Sequence, residues 1–129
     1  MRLLPREVLL TDTNPVPSPR RFTGAAFSFP ILATATPHAK IELIRLERGV
    51  RGDWHRHQNG QIIHVVAGEG YVGRHDSNPL HITAGDTVHI EADEEHWHGA
   101  TPTMSLAQLA ISLGSITWLD SDNGSASRP

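Results

Sequence analysis

The sequence predicts an all-β fold, a sandwich or barrel that a chain of 129 residues could close as one jelly roll. Short apolar or alternating runs recur from Ala25 onward between clusters of Gly, Pro, Asn and Asp. No stretch sustains a helical period over several turns. The length suits one buried core and is too short for two.

Taken in order, residues 1–23 read as an extended N-terminal arm. Pro15, Pro17 and Pro19 fix φ and remove donors at spacings that neither a helix nor a central strand tolerates. Residues 24–119 form the expected barrel domain. Its strand candidates are AAFSFPILA, KIELIRLE, QIIHVVA, YVGR, LHI, TVHI, HWHGA and MSLAQLAIS. The punctuation between them is Gly49, Gly52, the GEG of Gly68 to Gly70, the SNP of Ser77 to Pro79, Gly85-Asp86 and Thr101-Pro102. The small polar tail 120–129 is expected to be disordered.

Composition narrows the partners. A net charge of -3, with Lys and Arg scattered, provides no basic field for nucleic acid. A membrane span needs about 18 apolar residues, and LLPREVLL is interrupted by Pro5, Arg6 and Glu7. The expectation is a cytoplasmic protein with a small-molecule partner. The chain has no cysteine, which excludes disulfides, thiolate metal sites and cysteine nucleophiles. Nine histidines remain, most of them between His55 and His98.

Two of these stand in HRHQNGQ. Alternation along a strand puts His55, His57 and Gln61 on one face and Arg56 and His64 on the other. Downstream, HWH offers His96 and His98 as a second same-face pair. A single HxH is weak evidence for a metal site; two from separate segments could complete a cluster.

The run from Gly49 through His55, His57 and Gln61 to Gly68 resembles the first motif of the cupin superfamily at every spacing. Gly85 and His96 match the second motif, in which Glu91 and Asp93 replace the usual Pro and Gly of a turn. The resemblance spans residues about 39 to 113. Within the superfamily, WHRHQNGQ and EEHWHGATPT are similar to small single-domain cupins of the hydroxynitrile lyase and carboxymuconolactone-decarboxylase-associated types. It implies a jelly-roll β-barrel (double-stranded β-helix), commonly a homodimer, with His55, His57, Gln61 and His96 as metal ligands.

Imidazoles and a carboxamide oxygen without thiolate suit one divalent transition metal ion, manganese ahead of iron, zinc, nickel or cobalt. The donor set does not itself separate these ions, and manganese is carried as the first expectation. Gln61 stands where many cupins carry Glu, so the donors are all neutral and the ion would keep its full charge. That favours polarising a substrate oxygen over redox cycling.

Three further residues are candidates for proton transfer and orientation. His98 shares the face of His96 and titrates near neutrality, or else is a hydrogen-bonded barrel histidine. Gln108 interrupts an apolar strand, to orient substrate or to satisfy a backbone group; hydroxynitrile-lyase-like cupins tend to carry His there. Glu42 shares parity with Ile44 and Leu46, an interior set in which a carboxylate must be paired, unless it is a rim or interface residue. His38, His64, His75, His81 and His89 are expected at solvated or interface positions. Trp54 and Trp97 should pack outward, between sheets or on a second subunit.

The leading expectation is a metal-dependent lyase or isomerase acting on a small organic molecule. A cupin dioxygenase using iron or manganese and a non-catalytic binding cupin are the alternatives.

Overall fold

β-Branched and aliphatic residues alternating with polar ones fit a pleated surface wet on one side and buried on the other. The computed structural model describes residues 1–17, 19–36 and 38–119. Its strands are β1 (Ala26–Thr36), β2 (Ala39–Leu46), β3 (His55–His57), β4 (Gln61–Gly73), β5 (Leu80–Thr83), β6 (Thr87–Ile90), β7 (Trp97–Ala100), β8 (Leu106–Leu113) and β9 (Ile116–Trp118). One sheet runs β1-β2-β8-β4-β5, with β6 and β7 also paired to β4; β3 and β9 form a second, two-stranded sheet. Every strand pairing among the described residues is antiparallel, as a jelly-roll barrel requires.

The 13-residue β4 joins the two halves of the barrel. Its first residues lie between β6 and β8 and its last between β5 and β7. The sequence suggests a break at Gly68 to Gly70; the strand runs straight through. Gly68 has φ of 81°, and a Cβ there would lie 1.8 Å from the Ser105 carbonyl oxygen. A Cβ on Gly70 would lie 2.3 Å from the Gly99 carbonyl oxygen. These glycines admit close backbone approach within a strand; they do not end one.

The core is Leu46, Ile63, Val65, Val72, Ile82, Ile90, Leu106 and Ala110 with their neighbours. In β8, Leu106, Gln108, Ala110 and Ser112 are buried on the inner face and Leu109 and Ile111 are half-buried on the outer. Register then stacks inward residues in rows across β2, β8 and β4: Lys40–Ser112–Gln61, Glu42–Ala110–Ile63, and Ile44–Gln108–Val65. The first row is polar and the third carries one amide between aliphatics.

The arm is not extended throughout. A short helix, α1 (Arg6–Thr11), precedes the prolines, and Pro19–Arg21 makes a single tight turn. Between them Pro15 bridges Phe27 at the edge of β1, and the Val16 amide donates to the Ala26 carbonyl. The arm therefore lies against the barrel. The expected disordered tail falls outside the described residues. No helix among them is long and apolar enough to cross a membrane.

Candidate metal centre

Backbone pairing brings the two histidine segments together. His55 and His96 exchange both backbone hydrogen bonds, each 2.9 Å, in an isolated antiparallel bridge. On its other edge β3 pairs with β9, with His55 opposite Trp118. The turn after β3 is fixed at the His57 carbonyl, which accepts from the amides of Gly60 (3.1 Å) and Asp93 (2.9 Å). Asp93, where the second motif usually has Gly, adopts φ of 59°. An aspartate tolerates that left-handed conformation. The substitution at the motif position thus leaves the glycine-like backbone in place.

Four imidazoles crowd one wall of the interior. Ring centroids of His55 and His96 are 4.3 Å apart, His96 and His98 4.9 Å, His55 and His57 5.1 Å, and His57 and His96 5.6 Å. One ring nitrogen from each of His55, His96 and His98 lies within 4.8 Å of the others, a group able to hold a metal ion. His57 lies just outside that tight group. It is nonetheless buried, and neither of its ring nitrogens has a partner.

Burial and mutual repulsion keep these rings neutral. Burial first, then the neighbouring His96, push His57 down to about 4. Burial is also the leading cause holding His55 and His98 well below the usual histidine value and lowering His96. Neutral imidazole is the metal-binding form.

Proton placement follows from the backbone. A neutral imidazole has one N–H. His55 Nδ1 faces the Asp53 carbonyl oxygen at 2.9 Å and His96 Nδ1 the Glu94 carbonyl oxygen at 2.8 Å, so each ring spends its proton there. Both Nε2 atoms are left as lone pairs aimed inward, the arrangement that fixes metal-binding histidines. Gln61 Nε2 donates to Ser112 Oγ at 2.9 Å, which turns its carbonyl oxygen towards the imidazoles. Gln61 Oε1 then meets His96 Nε2 at 3.0 Å. Two acceptors face one another across that gap. A cation shared between them resolves the contact, and the residues present therefore fit a metal ion. His98 differs: its Nε2 can donate to the same Gln61 oxygen at 3.1 Å, leaving Nδ1 buried without a partner.

His55, His57 and His98 open onto a cavity of about 190 Å³ lined also by Glu42, Gln108 and Ser112. Its apolar side is formed by Val16, Phe22, Ile116 and Trp118, so the arm supplies part of the wall. Trp118 packs on His55 at 4.8 Å and meets Phe22 edge-on at 6.1 Å. A cavity of ~150 Å³ is known to take benzene; this one suits a ring-sized molecule with a few polar atoms.

The other predicted residues take distinct places. Gln108 is 1% exposed between Ile44 and Val65, and its Oε1 has no partner. Glu42 is 8% exposed; Oε2 accepts from Ser28 Oγ at 2.5 Å, and Oε1 lies 3.6 Å from Lys40 Nζ. His64, His75, His81 and His89 are exposed, with His75 and His81 bonded to Glu95 and Glu69. Trp54 stacks on His75 at 4.2 Å, and Trp97 lies under the Arg51 guanidinium. Sequence reading passes over Lys40, Ser112, Phe22 and Trp118. The parity that marks Glu42 and Gln108 would have marked the first two; the last two arrive by long-range packing.

Comparison with known proteins agrees with this architecture. Residues 42–111 match the family model described as Cupin domain. The chain is 36% identical over 91 residues to an (R)-mandelonitrile lyase of Granulicella tundricola, covering 70% of each. The fold is similar to a cupin-like protein of Thermotoga maritima, with TM-score 0.74, 30% identity and 78% and 80% of the two chains covered. A polyketide cyclase of Streptomyces resistomycificus shares the fold at 12% identity, with TM-score 0.72 over 96% of this chain and 89% of that one.

Proposed function

The chain belongs to the cupin family, and from that premise we propose that it is a metal-dependent lyase or isomerase acting on a small hydroxy or carbonyl compound. Hydroxynitrile cleavage is the first reaction to assay, given the similarity to a mandelonitrile lyase. The carrying observation is the convergence of His55 Nε2, His96 Nε2 and Gln61 Oε1 as inward lone pairs beside the partnerless His57. His55, His57, Gln61 and His96 would hold a divalent ion, with manganese the first choice. When bound, such an ion supplies Lewis acidity to a substrate oxygen, at full charge because every donor is neutral.

The protein's own groups supply the rest. His98, anchored by Nε2 on Gln61, presents the Nδ1 lone pair to take the hydroxyl proton. Burial keeps the ring neutral, so that lone pair is free to accept. For a cyanohydrin, the electron pair of the breaking C–C bond leaves with cyanide, which receives that proton. Gln108 Oε1, otherwise unpartnered, accepts a hydrogen bond from the substrate and fixes its orientation. Phe22 and Trp118 hold its apolar body away from water.

The test is turnover of mandelonitrile by metal-loaded protein, followed as benzaldehyde release with dissolved oxygen monitored in parallel. Aldehyde release without oxygen uptake supports the reading. Oxygen uptake coupled to turnover would assign a dioxygenase, and inertness towards cyanohydrins, lactones and hydroxy acids would remove the lyase class. The homodimer remains part of the proposal, supported by the exposed Val66 and Met104; sedimentation of a strict monomer would retire it.

A further inference from the structure

The cavity mouth carries an inward lysine that the proton transfers above do not use. Lys40 stands on the inner face of β2, in one row with Ser112 of β8 and Gln61 of β4. Neighbouring strands are ~4.8 Å apart, so the row sets the Lys40 backbone roughly 10 Å from that of Gln61. Ser112 is buried midway and accepts from Gln61. A polar track therefore runs from the exposed ammonium at the mouth to the histidine cluster, facing the apolar wall of Phe22 and Trp118.

The ammonium is held rather than consumed. Ser28 fixes one oxygen of Glu42, and the other lies 3.6 Å from Nζ, longer than a hydrogen bond. Glu42 orients the charge and leaves its donors for a ligand. Among the described residues lining the cavity, Glu42 is the only carboxylate and Lys40 the only ammonium or guanidinium. These two cancel. Imidazole and carboxamide donors bring no charge of their own to a cation they bind, so a divalent ion held at the centre would leave the cavity positively charged. An anionic occupant balances it.

We propose that Lys40 selects the substrate class: a small hydroxy- or oxo-carboxylate, its carboxylate on Lys40, its second oxygen at the histidine cluster and its apolar body on Phe22 and Trp118. The assignment rests on the metal site proposed above for the cavity's net positive charge and for the second oxygen; the contact to the carboxylate itself is made by Lys40.

The probes are 2-hydroxy-2-phenylacetate and its neutral amide, which share ring and hydroxyl. Their dissociation constants are measured by calorimetry on manganese-loaded protein whose metal content is checked. The acid is expected to bind roughly five-fold tighter than the amide at low salt, the scale of one partly exposed ion pair. The preference should vanish in Lys40→Met, return in Lys40→Arg and shrink at high ionic strength, with metal content unchanged. Equal binding of acid and amide, no binding of the acid to folded metal-loaded protein, or a preference that survives Lys40→Met would overturn it. A His55→Ala/His96→Ala protein that lacks metal separates the two claims. Acid preference of the same size there removes the metal from substrate recognition and leaves Lys40 as its recogniser.

Discussion

Acidifying the metal-free protein should unfold it in a window set by the buried histidines. His57 is 4% exposed, and burial with the adjacent His96 lowers it from 6.5 to about 4. Between those values the unfolded chain takes up a proton that the folded chain refuses. Stability therefore rises with pH across the window, and is lost as pH falls from about 6.5 to about 4, with no further loss from this group below. At 1.36 kcal/mol per unit, His57 alone contributes roughly 3 kcal/mol. His55, His96 and His98 shift in the same direction and add to the slope. Urea titrations at intervals from pH 7 to pH 4, after chelation, give the midpoints directly while the slope m stays constant. His57→Leu should flatten the profile by the His57 share. Stability that is level across this range, or greatest near pH 4, would refute the neutral buried cluster.

Four substitutions separate the roles assigned to individual residues. His57→Ala should weaken metal binding more than ~100-fold, whereas His98→Ala, which removes a group behind Gln61, should cost about 10- to 100-fold at most; titration with competing chelators decides, and the reverse order would move His98 into the ligand set. Gln108→Leu removes a buried oxygen without a partner, so the melting curve should show a gain of about 1 kcal/mol while turnover falls at least ~10-fold. Loss of stability would mean the amide serves the fold instead. Gly68→Ala would drive a Cβ towards the Ser105 carbonyl at positive φ and should cost about 3 kcal/mol in urea unfolding; an unchanged midpoint would contradict the continuous β4.

Local rules carried the reading as far as local rules reach. Alternation placed Glu42 on the inner face and left open which face of its strand Gln108 shares; the structure has both inside. The spacing in HRH and HWH put His55, His57, His96 and His98 into one buried neighbourhood; Gln61 joins them from the start of β4, across a turn at 58–60 that interrupts the single strand expected of HRHQNGQ. What failed was punctuation. Gly68 and Gly70 look like a turn because glycine ends strands as readily as it lets two backbones close up, and only the positions of Ser105 and Gly99 distinguish these. The β3–β9 pair was invisible for a related reason: HRH and ITW are too short to show a period, and they become strands by pairing with each other. The arm's part in the cavity wall depends on Val16 and Phe22 folding back across the barrel, a contact between segments that no window of sequence contains.

Metal content decides whether the histidine cluster is a cation site. Protein purified without chelator, or equilibrated with manganese and dialysed, should carry roughly one divalent ion per chain at pH 7 by elemental analysis. It should lose that ion in the His55→Ala/His96→Ala protein while circular dichroism still reports β structure. A folded wild-type chain that holds no ion after equilibration with manganese, iron, zinc, cobalt and nickel would show that the inward lone pairs of His55, His96 and Gln61 answer to something other than a metal.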